Sequence, residues 1–163
     1  MIGVEEFVST HSRSLLRAAW LLTGDWATAE DLVQTTLIAT WRRWEAIDSP
    51  EIYVRRVLTN TYLSSRRRRW TGERPVADLP ELPGPDAYGS SDTRHALTAA
   101  LATLPAQQRA VVVLRYFLDL SEAQAAASLG CSVGNVKSQS SRALAKLRAR
   151  PEVQSLLAEA FHG

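Results

Sequence analysis

This chain is short of the residues that support redox, metal and disulfide chemistry. Its 163 residues include one cysteine, Cys131, so no disulfide framework can form, and in a turn the thiol reads as a small buried hydrophobe. The three histidines, His11, His95 and His162, are scattered at no metal-ligand spacing and accompany no nucleophile–base pair. Neither an enzyme nor a cofactor or metal site is therefore expected. Long apolar runs are missing as well. Nothing approaches the roughly 20 residues of a membrane-spanning helix, and Met1 to Leu22 lacks the basic start and unbroken apolar core of a signal peptide. A soluble, cytoplasmic chain without membrane insertion is expected. Lysine is scarce too. Lys137 and Lys146 are the two lysines among 19 basic residues, and the arginine bias suits phosphate and base-edge recognition as well as it suits a GC-rich genome.

What is present is helical pattern. With 45% hydrophobic residues the chain can build two small helical domains, each with a modest core. Between them Thr71 to Thr93 reads TGERPVADLPELPGPDAYGSSDT, rich in proline and glycine and without apolar periodicity, the composition of an extended tether. The expected organisation is all-α, with a first domain over 1–70, a flexible linker over 71–94, a second domain over 95–150 and a tail over 151–163. Net charge is +2, −3 and +3 over residues 1–70, 71–94 and 95–163, so mildly basic ends flank an acidic middle. That balance allows nucleic-acid contact at both ends. The two lobes are expected to be loosely tethered.

The most informative stretch, Leu120 to Arg150, reads LSEAQAAASLGCSVGNVKSQSSRALAKLRAR and has the grammar of a helix-turn-helix. Ser121 with Gln124 three residues later makes a capping box. Gly130 supplies the left-handed residue of a tight turn, and Ser132 caps a second helix to about Arg148. Ala126 is small where the helices cross, while Val133, Val136, Ala143, Leu144 and Leu147 recur at inward-facing spacing. Outward positions carry Asn135, Lys137, Ser138, Ser141 and Arg142, groups that suit a helix laid in a DNA major groove. A plain helical hairpin with a solvated face is the alternative, but it does not account for caps, glycine, crossing residue and polar face together.

Residues 1–70 read as three long helices with a short extra one. The first spans Val4 to Leu22 and ends at Gly24. Asp25 caps the second, whose core stripe is Ala29, Leu32, Val33, Leu37, Trp41 and Trp44 and whose other face presents Asp31, Gln34, Thr35, Ile38 and Arg42. An isoleucine amid that polar face marks a protein-docking surface, although one exposed apolar residue is also ordinary. The third helix starts at Ser49-Pro50 and runs to about Arg69, with Val54, Val57, Leu58 and Thr61 inward. Arg56, Asn60 and Arg67 fall near one polar stripe. The run Arg66 to Arg69 either complements the helix dipole or forms a phosphate track.

Taken together, AEDLVQTTLIATWRRW, YVRRVLTNTYLSSRRRR, a proline-rich gap and LPAQQRAVVVLRYFLDLSEAQAAASLGCSVGNVKSQSSRALAKLR resemble an extracytoplasmic-function sigma factor of bacterial RNA polymerase. The version present here is similar to the sigma-E-like branch of actinobacteria. The resemblance implies a transcription initiation factor, a dissociable subunit that directs core polymerase to promoters. A region 2 bundle would bind the clamp helices of the largest subunit through Asp31, Leu32, Gln34 and Ile38. The Glu45–Pro50 loop with Arg56, Asn60, Arg66 and Arg67 would read the −10 element as melted single strand, one base turned into a pocket. A region 4 helix-turn-helix would read the −35 duplex through Asn135, Lys137, Ser138, Ser141 and Arg142 and meet the polymerase flap. Leu104 to Leu118 would pack behind it. Promoter DNA, core polymerase and an anti-sigma protein are the implied partners.

The chain departs from the family pattern at three places. Asn135 stands where threonine is usual, Gln139 where arginine is usual, and Ile52-Tyr53 where a tryptophan is common, which leaves Trp70 as a candidate aromatic near the melted bases. Two other function classes compete. A helix-turn-helix regulator that never docks on polymerase would leave the Asp31/Gln34/Ile38 face and the basic third helix unexplained. A sigma-like decoy for an anti-sigma protein would be free to lose Lys137 and Arg142, which are present.

Overall fold

A computed structural model describes residues 2–70, 91–151, 153 and 154, with side chains over 2–65 and from residue 95. Residues 71–90 of the expected 71–94 tether, most of the tail, and the side chains of Arg66, Arg67 and Trp70 lie outside the described residues. The described elements are all helical. In the first lobe α1 spans Val4–Thr23, α2 Trp26–Arg42 and α3 Pro50–Trp70, with a 3₁₀ turn over Trp44–Ala46. In the second lobe α4 spans Ser91–Ala102, α5 Ala106–Val112, α6 Glu122–Leu129 and α7 Val133–Arg148. α5 runs on into a π-helical turn over Val113–Phe117. α4 begins inside the stretch whose composition read as tether.

Local chemistry sets most of these boundaries. Gly24 ends α1 in the left-handed region at φ 73°, and its N–H donates to the Trp20 carbonyl at 2.7 Å. One residue later Asp25 caps α2, its carboxylate accepting from the Thr28 N–H at 2.9 Å. The core face of α2 is Ala29, Leu32, Val33, Thr36 and Thr40. Both threonines are buried because each hydroxyl donates to the carbonyl four residues back, Leu32 at 2.7 Å and Thr36 at 2.8 Å, so no polar atom is stranded. At Arg43 the helix breaks (φ −114°, ψ 16°), and the turn swings Trp44 under Phe7, ring centroids 5.2 Å apart.

Trp41 corrects the sequence expectation. It shares the helical spacing of the core stripe, yet it is 63% exposed. Its phase along α2 lies well off the line through Ala29, Val33 and Thr40, and the break at Arg43 frees Trp44 from the same helix face. On α3 the buried residues are Val54, Leu58, Thr59 and Tyr62, with Val57 and Thr61 only half-buried.

The lobes are not loosely tethered. One hydrophobic core runs from Phe7 through Leu22, Leu58, Leu101 and Val111 to Leu147. α4 packs on α1, and α6 on α3. Arg109 of α5 is buried between the lobes and uses all five N–H donors. Nε donates to the Leu101 carbonyl (2.8 Å), Nη2 to those of Ala102 (3.1 Å) and Leu104 (3.0 Å), and Nη1 to the Leu22 carbonyl and the Tyr62 hydroxyl (both 2.8 Å). Saturation by carbonyls makes a buried guanidinium tolerable here.

Candidate polymerase and nucleic-acid interfaces

Three exposed faces carry chemistry, each on a helix whose opposite side is buried. The first is on α2. Asp31, Gln34 and Ile38 are exposed, Ile38 at 48%. Leu32 is buried at 6% exposure, so it supports this face from beneath and is not available to a partner, a correction that follows from its place in the core. Trp41 takes the vacated place. Asp31, Gln34, Ile38 and Trp41 follow each other at intervals of three, four and three residues, the spacing of a seam that receives another helix. Beside Trp41 an open cleft of about 450 Å³ lies between the start of α1 and the end of α2, lined by Val4, Arg42, Trp44 and Glu45 among others. An exposed tryptophan next to an exposed isoleucine, rimmed by polar groups, has the makeup of an interface anchor.

The second face is on α3. Arg56 and Asn60 are exposed one helical turn apart, and Ile52, 37% exposed, continues the line toward the helix start. Residues 66 and 67 extend the helix, and their side chains are not among those described. At the start of α3 the Glu51 carboxylate lies 3.6 Å from His11, which stands two turns into α1.

The third face is on α7. The capping box forms as read, with the Gln124 N–H donating to Ser121 Oγ at 3.0 Å and the Ser121 N–H to Gln124 Oε1 at 2.9 Å. Gly130 turns the chain at φ 68°, and Ser132 Oγ accepts from the Asn135 N–H at 3.0 Å. Val136, Ser140, Ala143 and Leu147 are buried, which leaves Lys137, Ser138, Ser141 and Arg142 exposed on one arc. Val133 departs from the inward expectation: it is 39% exposed at the first turn, before α6 covers the helix. Asn135 is half-buried, and its Oδ1 accepts from Gln139 Nε2 at 3.4 Å, so the two departures from the family pattern touch each other. Behind α7, the π turn and α5 supply the buried run Ala110 to Leu114, and Lys146 Nζ donates to Gln108 Oε1 at 3.2 Å.

Among the described residues no group of three or more His, Cys, Asp or Glu side chains is placed to hold a metal ion. No described helix is long and apolar enough to cross a membrane.

Residues 7–71 match the sigma-70 region 2 profile and residues 94–147 that of sigma-70, region 4. The RNA polymerase sigma-E factor of Streptomyces coelicolor is 42% identical over 99% of this chain and 93% of its own length. This chain belongs to the extracytoplasmic-function sigma factors. A second relative, the ECF RNA polymerase sigma factor SigL of Mycobacterium tuberculosis, is 35% identical over 85% of this chain and 82% of its own. Among solved structures, the sigma factor RpoE of Bartonella quintana, in complex with the anti-sigma factor NepR, superposes with a TM-score of 0.68 at 29% identity, covering 89% of this chain and 96% of that one. As a sigma factor the chain acts in transcription initiation.

Sequence reasoning missed the placement of three residues, one exposed and two buried between the lobes. Trp41 was hidden by its coincidence with the apolar period, and Tyr62 and Arg109 because nothing near them in sequence marks a contact between distant helices. The break that exposes Trp41 is foreshadowed only by the paired Arg42-Arg43 between two tryptophans.

Proposed function

We propose that this sigma factor is a dissociable specificity subunit whose three exposed faces divide promoter recognition between them. The α2 stripe of Asp31, Gln34, Ile38 and Trp41 docks on the clamp helices of core polymerase. The α3 face, Arg56 and Asn60 with Arg66 and Arg67 beyond it, takes the melted −10 strand, the asparagine offering its amide to a base edge and the arginines holding phosphates. The α7 arc of Lys137, Ser138, Ser141 and Arg142, flanked by Asn135, reads the −35 duplex. Residues 1–70 and 91–150 are thus the working domains and the chain between them their tether. An anti-sigma protein covers these faces in the resting cell, a role supported by the RpoE relative having been captured with NepR.

The observation that carries this reading is the exposed Ile38–Trp41 pair within a polar seam. A DNA-binding regulator that ignores polymerase has no use for it. Promoter-directed transcription by purified core polymerase plus this protein tests the proposal. Transcripts that start at a fixed distance from matched −10 and −35 elements are expected, and core polymerase that gains no promoter preference would count against it.

A further inference from the structure

The first turns of α7 hold a pair of side-chain amides whose orientation is set from inside the protein. Asn135 and Gln139 stand one helical turn apart, and Gln139 Nε2 donates to Asn135 Oδ1 at 3.4 Å. Gln139 Oε1 is buried and meets no donor among the described residues. The opposite orientation would bury an NH2 group with two unmet donors in place of one unmet acceptor, which costs more. The Asn135 backbone is pinned as well, its N–H donating to Ser132 Oγ at 3.0 Å. With Oδ1 turned to Gln139, the planar amide carries Nδ2 on its other edge. There Nδ2 reaches the surface and has no partner among the described residues.

That edge adjoins the exposed arc of α7. Asn135, Ser138 and Arg142 follow at intervals of three and four residues, so they form one strip along the helix. Asn135 is at its amino-terminal end, the end of a recognition helix that meets base edges. Beside it stands Gly134. A Cβ there would meet Ser132 Oγ at 3.8 Å and nothing else within 4 Å, so packing does not require a glycine. The bare backbone instead leaves room for close approach.

The major-groove edge of each base is a pattern of donors and acceptors. Adenine is read by both ends of an asparagine amide, Nδ2 donating to N7 and Oδ1 accepting from the N6 amino group. Here Oδ1 is engaged by Gln139, which leaves the donating end. Guanine suits that end, because its edge offers two acceptors, N7 and O6, and no donor. Thymine offers one acceptor beside a methyl group, and cytosine a donor.

We propose that Gln139 is a positioning residue that holds the Asn135 amide with its donors outward, and that α7 thereby selects guanine at one base pair of the −35 element. This rests on the −35 reading proposed above for α7, and it adds which base is chosen and what chooses it.

Holoenzyme assembled from core polymerase and the full chain tests this on a promoter library carrying every base pair at each −35 position. The unaltered chain is expected to favour guanine by roughly ten-fold at one position. Asn135→Ala is expected to flatten the preference at that position and at no other. Gln139→Met, which keeps length and packing but cannot donate, is expected to bring adenine there to parity with guanine. Gln139→Glu can only accept, so it draws in Nδ2 and turns Oδ1 outward, and the preference is expected to move to adenine or cytosine. The added charge weakens all sequences alike and leaves the ranking readable. A guanine preference that survives both Gln139 variants overturns the positioning role, and one that survives Asn135→Ala overturns the base assignment. If the unaltered holoenzyme shows no preference at any −35 position, the −35 role of α7 itself fails. If it shows preferences that none of the three variants moves, the amide pair alone fails.

Discussion

Around Trp44 the amino-terminal lobe is packed from large rings, Phe7 against Trp44 at 5.2 Å and Trp20 against Trp26 at 6.4 Å. The helix-turn-helix is packed from small side chains, Ala125, Ala126, Val136 and Ala143, and it is pinned by caps at Ser121 and Ser132. The three buried side-chain atoms found without a partner among the described residues, Ser128 Oγ, Gln139 Oε1 and Ser140 Oγ, all lie in that second unit. Rings hold the start of α2 and the turn after it, and between them Ile38 and Trp41 stay exposed. Small-residue packing lets α6 and α7 cross closely and leaves a short polar arc exposed, at the cost of hydroxyls left unsatisfied between them. In the proposed roles, docking is built on bulk and duplex reading on close approach.

The sharpest way to break this comparison is a charge in the docking seam. Ile38→Glu leaves the ring-packed core untouched, because Ile38 is already 48% exposed. A carboxylate buried unpaired at the interface costs about 2–5 kcal/mol, a loss of core affinity of roughly thirty-fold to several thousand-fold. Circular dichroism is expected to be unchanged while a core-polymerase pull-down fails. Wild-type core binding by the folded variant would remove α2 from the docking role.

On the other lobe the expected effect is smaller and confined to DNA. Arg142→Ala should lower transcription from −35-dependent promoters roughly ten-fold or more, since a bidentate base contact is worth about 1–3 kcal/mol. Core binding stays as it was. Footprinting over variant −35 sequences separates the roles: relaxed preference at one base pair means base readout, and uniform weakening means a phosphate contact. No effect of either kind would mean that α7 does not read DNA in this way.

A third variant probes the single-strand reader. Asn60→Ala removes an exposed amide beside Arg56, and it should reorder the preference among −10 sequences by roughly five-fold while leaving the salt dependence of binding alone. Competition among −10 variants on pre-melted templates measures this. An unchanged ranking would place base discrimination elsewhere.

The contrast between the lobes also explains what was legible in the sequence. The helix-turn-helix could be read almost residue by residue, because its caps, turn glycine and crossing alanine act within a few positions of each other. The Gln124, Gly130 and Ser132 geometry appears as expected. The amino-terminal lobe depends on contacts between distant residues. Trp41 and Trp44 obey the same apolar period, and only the break at Arg43 and the Phe7 ring decide which one is buried. Leu32 was at once a core position by spacing and a docking residue by resemblance, and its burial favours spacing. The interlobe contact was illegible: Leu22, Tyr62 and Arg109 are joined by folding alone, and a proline-rich tether gives no sign of whether the lobes it joins will pack.

The smallest expected effect is the one that asks whether the lobes are a single cooperative unit. Gly130 holds φ 68°, and a Cβ there would meet nothing within 4 Å, so Gly130→Ala suffers backbone strain and no steric clash. Forcing alanine into the left-handed region costs about 1 kcal/mol, and asparagine, which tolerates that conformation, costs less. Because one core runs through both lobes, the defect should be felt by the whole molecule. Calorimetry is expected to show one transition lowered by about 2–4 °C in Gly130→Ala and by less in Gly130→Asn. Two separated transitions, only the second of them shifted, would mean that the lobes unfold independently, and that the shared core adds little to the stability of either.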